Sequence, residues 1–213
     1  KGEISIKTIK MNSYTIPRLP LNFDVESKDI LKQLTKSHRR LAELKGVAQT
    51  IPNERILIST LTLQEAKDSS EVENIVTTQD DLYKAGLNFR QNIINVSTKE
   101  VLAYREAIEK GFTLVRDNKL LTNNVIKQVQ AVLEQNSAGF RTVPGTKLKR
   151  NDGEVVYTPP QDSQQIILYM ENLERFINDE SISDLDPLIK MAIIHHQFES
   201  IHPFYDGNER TGR

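Results

Sequence analysis

The stretch His202-Pro-Phe-Tyr-Asp-Gly-Asn-Glu-Arg-Thr-Gly-Arg213 carries the strongest signal for fold and chemistry in this sequence. Pro203 must end a preceding helix, and a second helix is expected to begin near Asn208. A helix, a short loop and a second helix aim several backbone N–H groups at one point, which is an anion-binding arrangement. Arg210 and Arg213 stand three positions apart on one face of the second helix, where both can reach phosphate oxygens. The stretch therefore predicts a phosphate site.

Two further side chains of the same stretch can carry chemistry. His202 titrates near neutral pH and can take a proton from an attacking hydroxyl group. Asp206 offers the oxygen ligand that Mg²⁺ needs when the ion also holds substrate phosphates. Without its neighbours, His202 would more often be an ordinary loop histidine. With them, it predicts a nucleotide-dependent enzyme that modifies a hydroxyl group.

Upstream of this stretch, hydrophobic periodicity predicts a predominantly α-helical chain. Ile30, Leu34, Leu41 and Leu44 recur at helical spacing before Gly46, which is typical of a long amphipathic helix. Further helices are expected at 60–74, 79–86, 98–110, 122–135, 162–178 and 186–200. Their predicted N-caps include Thr98, Thr122 and Asp186, the last followed by Pro187 at the first helical position.

Two segments depart from the helical pattern. Residues 11–24 contain Pro17 and Pro20 and are expected to form an extended arm on the domain. Residues 141–160, which we call the hairpin segment, place an Asp152-Gly153 turn between two β-prone runs and predict a β-hairpin. An unpaired hairpin edge can accept an extended peptide as an added strand. A solvent-exposed hairpin that binds no partner is equally compatible with the pattern.

The composition limits the classes of function. The chain has 213 residues, 28 basic and 29 acidic side chains and no cysteine. A net charge of −1 gives no general attraction to nucleic acids or anionic membranes, and the lack of cysteine excludes disulfides and thiolate metal sites. With no long apolar run and no signal pattern, we expect a cytoplasmic protein. The start at Lys1 and the stop at Arg213 suggest a fragment.

The pattern His-Pro-Phe-x-Asp-Gly-Asn-x-Arg-x-x-Arg from His202 to Arg213 resembles the signature of the Fic family, whose members transfer AMP from ATP to protein hydroxyl groups. The likeness extends to the residues before His202, the Pro159-Pro160 pair, Gly139-Phe140-Arg141 and the Tyr14–Pro20 arm. It implies an all-α, Fic-type helical bundle with one β-hairpin flap. The expected division is an N-terminal arm and helix (1–50), a helical region with an inhibitory helix near 60–75 (51–97), and a Fic core truncated at its C-terminal end (98–213).

The resemblance also assigns roles to residues of the signature. His202 becomes the catalytic base and Asp206 the Mg²⁺ ligand, with ATP as the nucleotide. The nucleotide contacts implied in this way are Gly207, Asn208, Glu209, Arg210 and Arg213. The hairpin becomes a flap, residues 141–158, that docks a protein substrate by strand addition.

A second motif, Ser69-Ser70-Glu71-Val72-Glu73-Asn74, resembles the inhibitory helix of the family class that carries this helix N-terminal to the core. Its functional positions would be Ser69, Glu73 and Asn74. In the family, the glutamate pairs with the second signature arginine, here Arg213, and blocks productive placement of the γ-phosphate. Taken alone, Glu73 would be a solvated helix carboxylate.

Glu209 departs from the family pattern, which usually has glycine at this position. Glutamate adds bulk and negative charge beside a polyanion, and it would be strained if the position required a positive φ. Three alternatives to AMP transfer stay open: another nucleotide donor or phosphate transfer, removal of AMP, and a silent nucleotide-binding module. Self-modification and a homodimer also stay open. His195, His196 and Glu199 are expected to be structural residues of a core-facing helix.

Overall fold

The computed structural model describes residues 14–48, 50–72, 74–82, 95–150 and 152–213, with the main chain alone for 54–58. These residues form a mostly helical fold with one antiparallel hairpin, which confirms the predicted class. The helices are α1 (Lys28–Ala48), α2 (Glu54–Val72), α3 (Val96–Asn118), α4 (Asn123–Leu133), α5 (Ser163–Asn178), α6 (Pro187–Ile201) and α7 (Asn208–Gly212), with a 3-10 turn at Glu180–Ile182. The strands are β1 (Leu148–Lys149) and β2 (Val155–Tyr157). Of the helix predicted at 79–86, residues 79–82 are helical and 83–86 lie outside the described residues.

Two of the three predicted N-caps are confirmed. The hydroxyl of Thr122 accepts a hydrogen bond from the N–H of Val125 at 3.3 Å, and Asp186 caps α6 with Pro187 at its first position. The prediction for Thr98 is wrong, because α3 is capped three residues earlier by Asn95, whose Oδ1 accepts from the Thr98 N–H at 2.7 Å. The Thr98 hydroxyl is buried and lies 2.7 Å from that of Thr77.

Among the described residues, two apolar cores join helices α2 to α6. The first gathers side chains from the arm, α4, α5, α6 and the loop after α6, including Phe176 and Phe204, which are fully buried. The second lies where α2 packs on α3, around Ala66, Val101 and Tyr104. Because α4 contributes to both cores, it connects the loop after α6 with the α2–α3 pair.

The predicted arm, residues 11–24, is confirmed over residues 14–24, and residues 11–13 lie outside the described residues. Leu19 exchanges two hydrogen bonds with the side chain of Asn172, at 2.9 and 2.8 Å, and its own side chain is buried in the first core together with Ile16. Gln197 of α6 donates to the carbonyl of Pro17 at 2.8 Å. Main-chain groups of the arm are thus bonded to two helices of the core.

The predicted hairpin is also confirmed. β1 and β2 pair antiparallel, with Leu148 opposite Tyr157 and an irregularity in the register after Leu148. Gly153 has a φ of 87°, and its N–H donates to the carbonyl of Arg150 at 2.9 Å. A glycine suits this turn because L-residues with a side chain rarely adopt a positive φ.

Helix α1 forms as predicted, but its apolar stripe is not covered. No residue of α1 is buried within the described part of the chain, and Leu44 is 61% exposed. Among the described helices, none is long and apolar enough to cross a membrane.

Candidate functional site

The loop between α6 and α7 is fixed from inside the protein. The buried ring of Phe204 lies 5.2 Å from that of Phe140. Asn208 spans the loop, because its Oδ1 accepts from the Phe204 N–H at 2.8 Å and its Nδ2 donates to the Phe204 carbonyl at 3.0 Å. The buried Asn208 side chain, predicted as a phosphate contact, therefore first holds the shape of the loop.

His202 closes α6 in a conformation that residues with a side chain rarely adopt. Its φ is 49° and its ψ is 60°, and its N–H donates to the carbonyl of Phe198 at 2.9 Å. A left-handed residue at this point reverses the chain direction before Pro203. Non-glycine residues in this region carry backbone strain, which is concentrated at functional sites in proteins.

The imidazole of His202 is neutral at physiological pH. Burial lowers the pKa of His202 to about 4, with a further lowering by the positive charge of Arg141 and an opposing effect of Asp206. Its Nδ1 is buried, with no hydrogen-bond partner among the described residues. A neutral imidazole can accept a proton, so the predicted base is in the protonation state that its role needs.

Asp206 and Gly207 form the tip of the loop. The carboxylate of Asp206 is exposed, and its Oδ1 accepts from the Gly207 N–H at 2.8 Å. Gly207 has a φ of 69°, and a Cβ built on it would lie 2.1 Å from Oε1 of Glu134. A side chain at position 207 would therefore meet both strain and a clash, which explains the glycine in physical terms.

Arg210 is buried and engaged with carboxylates. Its Nη2 lies 2.9 Å from Glu134 Oε1, and its Nη1 lies 3.7 Å from Glu100 Oε2. Sequence reasoning missed both glutamates, because they come from α3 and from the end of α4, far from the signature in the chain. A buried guanidinium held in this way has a fixed orientation.

Arg213 contacts the predicted inhibitory helix. Its Nη1 donates to Ser69 Oγ at 2.6 Å, and Ser69 is buried and also hydrogen-bonded to Tyr104. Burial raises the pKa of Tyr104, so its hydroxyl stays neutral. The structure therefore brings Ser69 and Arg213 together, although 144 positions separate them in the chain.

The end of α2 has a defined geometry. The Ile75 N–H donates to the Ser70 carbonyl and the Asn74 N–H to the Glu71 carbonyl, both at 3.0 Å. Asn74 has a φ of 63°, and asparagine tolerates this left-handed position better than most residues with a side chain. These bonds follow the Schellman pattern and give a physical reason for asparagine at the last motif position. Glu73 lies outside the described residues, so its predicted pairing with Arg213 stays a prediction.

Glu209 is exposed in the first turn of α7, where a carboxylate is favourable. Glu209 has helical backbone geometry and no positive φ, so the backbone strain considered for this position does not arise. The helix that carries His195 and His196 faces a core as predicted, through residues such as Phe198, whereas the two histidine side chains themselves are exposed. His195 Nδ1 lies 3.0 Å from the carbonyl of Gly212. Glu199 of α6 is partly buried, and this burial raises the pKa of its carboxyl group.

The hairpin segment is attached beside this loop. The Tyr157 hydroxyl donates to the carbonyl of Ser200 at 2.7 Å, and the Tyr205 hydroxyl accepts from the N–H groups of Thr142 and Val143 at 2.8 and 3.1 Å. Arg141 is 1% exposed and bonds to carbonyl groups around His202. Sequence reasoning did not assign a role to Arg141, Tyr157 or Tyr205, since the position of these residues in the sequence does not show which distant groups they contact.

Comparison with known proteins shows two matches to family models. Residues 31–113 match the model described as Fic/DOC family N-terminal, and residues 120–213 match the model described as Fic/DOC family. Together the two matches leave only the first 30 residues and a short stretch between them uncovered.

Curated relatives and solved structures agree with these matches. The chain is 38% and 37% identical over 71 residues to proteins named protein adenylyltransferase Fic from Drosophila erecta and Drosophila yakuba. The matched stretch is 33% of this chain and 14% of each relative, so the chain spans a small part of those proteins.

The fold is also similar to a Fic family protein from Desulfovibrio desulfuricans G20, with a TM-score of 0.68, 18% identity and coverage of 89% of this chain and 56% of that one. It is similar to Fic-1 from C. elegans, with a TM-score of 0.64, 16% identity and coverage of 87% and 56%. At these identities, the two structures show the shared fold.

Proposed function

The chain belongs to the Fic/DOC family, and we propose that it transfers AMP from ATP to a hydroxyl group of a protein. The observation that carries this proposal is the neutral, partly buried His202 at the start of a loop that leads to Arg210 and Arg213, whose guanidinium groups can bind phosphates. Relatives named protein adenylyltransferase match part of the chain and support the choice of reaction.

In the proposed reaction, the target hydroxyl oxygen attacks the α-phosphorus of ATP. The bond from that phosphorus to the oxygen bridging it to the β-phosphorus breaks, and pyrophosphate leaves with the electron pair. The hydroxyl proton passes to the imidazole of His202. Arg210, already oriented by Glu134, and Arg213 would stabilise the phosphate charge, and the backbone N–H groups at the start of α7 would add to this.

Asp206 is the side chain that would hold Mg²⁺ together with the nucleotide. Its exposed carboxylate at the loop tip fits the Mg²⁺ preference for one or two carboxylates plus substrate phosphates and waters. The ion, when bound, supplies charge neutralisation for the phosphates. The Asp206 carboxylate keeps its orientation through the bond that it accepts from the Gly207 N–H.

The protein substrate would dock on the flap, residues 141–158, by adding a strand to the hairpin. The short pairing of β1 with β2 leaves main-chain groups at both hairpin edges for such a strand. Tyr157 bonds the flap to the C-terminal end of α6 and Tyr205 bonds it to the loop, and these contacts support docking of the target hydroxyl near His202. The substrate in this arrangement can be another protein or a second copy of this chain.

The activity would be restrained by the end of α2. Ser69 already engages Arg213 at 2.6 Å, and Glu73 stands four positions further along the sequence. A carboxylate at Glu73 beside Arg213 would neutralise the phosphate site and repel the incoming γ-phosphate. The Ser69 contact supports this restraint, since it holds α2 against the signature arginine.

The test is incubation with Mg²⁺ and ATP labelled on either the α- or the γ-phosphate. We expect α-label on protein to rise strongly in Glu73→Gln compared with the wild type and to vanish when His202→Ala is added. Glu71→Gln is the matched control, because Glu71 lies two residues away on α2 and pairs with Lys67 at 3.4 Å. Its labelling should equal that of the wild type.

The other outcomes separate the alternatives. Protein labelled only from γ-labelled ATP would identify phosphate transfer. Measurable ATP binding without label in any variant would identify a silent module and overturn AMP transfer. Glu209→Gly in the Glu73→Gln background should leave the rate nearly unchanged, because an exposed side chain in the first turn blocks little of the site.

A further inference from the structure

Arg141 is a nearly fully buried guanidinium, 1% exposed, at the entry to the hairpin segment. Its Nε donates to the carbonyl of His202 at 2.8 Å, and its Nη2 lies 3.4 Å from the carbonyl of Ile201. Its main-chain N–H donates to the carbonyl of Pro203 at 2.8 Å. One residue therefore bonds to consecutive carbonyls on both sides of the base.

These carbonyls need a partner. The last carbonyl groups of an α-helix receive no hydrogen bond from an N–H group of the same helix. Leaving them buried without another donor costs free energy. At the end of α6, the left-handed conformation of His202, with φ 49° and ψ 60°, ends the regular helical hydrogen bonding. The fork of N–H donors on arginine can serve several of them from one position, whereas the single ammonium of lysine cannot match that geometry.

The same guanidinium reaches the far end of the hairpin segment. Its Nη2 also donates to the carbonyl of Pro160, so the two ends of the segment are joined at one group. Tyr157 adds a bond from within the hairpin to Ser200, two residues before the base. The flap and the main chain of His202 thus share one set of contacts.

We infer that Arg141 is the positioning residue of this site: its guanidinium holds the main chain of His202 and both ends of the hairpin segment as one unit. The inference rests on the proposed AMP transfer for its functional consequence, since a docked hydroxyl and the base then keep a fixed separation. Among the described residues, the charged groups that act on the His202 imidazole are Arg141 and Asp206, and the removal of Arg141 would leave the acidic one of this pair.

The first test needs no activity and uses the wild-type chain. We expect the Nε–H of Arg141 to exchange slowly with solvent and to show a through-hydrogen-bond NMR coupling to the carbonyl carbon of His202. Arg175 is the comparison, because its side chain is 71% exposed and its Nε–H should exchange fast. Equal exchange rates for the two Nε–H groups, or a missing coupling, would overturn the positioning role of Arg141.

The second test compares Arg141→Lys and Arg141→Gln in the Glu73→Gln background, with Arg175→Gln as the matched charge-removal control. In Arg141→Lys we expect kcat to fall by roughly 10- to 100-fold, with the KM for ATP within about twofold, because the base loses its geometry while the phosphate site stays. In Arg141→Gln the pKa of His202, followed by NMR, should also rise from about 4 toward its ordinary value. Arg175→Gln should change neither quantity.

The two proposals fail in different ways. An Arg141→Lys protein that melts at a lower temperature but keeps the parent kcat would show a purely structural arginine and overturn the inference. Absence of AMP transfer in every background would overturn the proposed function alone. The NMR coupling and the pKa of His202 test the contact of Arg141 with His202 independently of activity.

Discussion

The loop from His202 to Asn208 and helix α1 are opposite cases of how a sequence pattern becomes structure. In the loop, the ring of Phe204 is fully buried and the polar side chain of Asn208 has partners at both ends. In α1, Leu44 and the other apolar side chains of the stripe stay exposed or half-buried, and the helix borders an apolar cavity of about 750 Å³ beside the arm and α6.

The difference shows that helical periodicity predicts that a helix forms and does not predict what covers it. The stripe of α1 satisfies the 3.6-residue pattern as well as α5 does, yet only α5 is packed on both neighbours. The loop has no periodicity at all. Its position is fixed by a few directional hydrogen bonds and one aromatic anchor, each of which has a large energetic cost when removed.

The largest contrast is expected from matched truncations in the two regions. Phe204→Ala should lower the free energy of unfolding by about 3–5 kcal/mol, because it removes a fully buried ring. Leu44→Ala should change it by less than about 1 kcal/mol, since most of that side chain is in contact with solvent. Urea denaturation measures both. Similar losses for the two variants would mean that α1 is covered in solution.

Asn208→Ala should have the next largest effect, a loss of about 2–4 kcal/mol. The substitution leaves the N–H and the carbonyl of Phe204 without partners in a buried place. The same denaturation experiment applies, with Gln33→Ala on α1 as the control for loss of an exposed amide. A cost below about 0.5 kcal/mol would show that the loop keeps its shape by other contacts.

A pH dependence of stability should follow from His202. Its pKa in the folded protein, about 4, lies below the ordinary value of 6.5. As the pH falls through this window, the unfolded chain binds a proton that the folded chain does not, so the free energy of unfolding decreases. Denaturation of the wild type and of His202→Gln between pH 7 and 4 should therefore diverge, with the wild type losing more. Parallel curves would contradict the low pKa.

The smallest effect is expected from a polar substitution on α1. Leu44→Ser should leave the free energy of unfolding within about 0.5–1 kcal/mol of the wild type, the range of surface substitutions with a small loss of helix propensity. Thermal unfolding followed by circular dichroism measures it. A clearly larger loss would place α1 among the packed helices and remove the contrast with the loop.

Much of the site was predictable because its residues are close in the sequence. The candidate base, the candidate Mg²⁺ ligand and the two arginines all lie in the stretch from His202 to Arg213, and the hairpin follows from the Asp152-Gly153 turn. The helix ends at Thr122 and Asp186 were predictable for the same reason, since a cap depends on neighbours within three residues.

The residues that were not predicted act across long distances in the chain. Glu134 and Glu100 hold Arg210, and Arg141 holds the carbonyl of His202. Nothing in the spacing of a lone glutamate or arginine shows which distant group it will face. The prediction for Thr98 was wrong for a related reason, because Asn95 and Thr98 both suit a cap and the buried contact with Thr77 favours the earlier start.

By itself, the sequence determined the helical class, the hairpin and the chemistry available at the signature, since each depends on residues within a few positions of one another. Only the tertiary structure decided the state of those groups. Burial and Arg141 set the pKa of His202, Glu134 orients Arg210, and the packing of α2 on α3 brings Ser69 to Arg213. Desolvation and hydrogen-bond geometry depend on every neighbour in space, and those neighbours come from all parts of the chain.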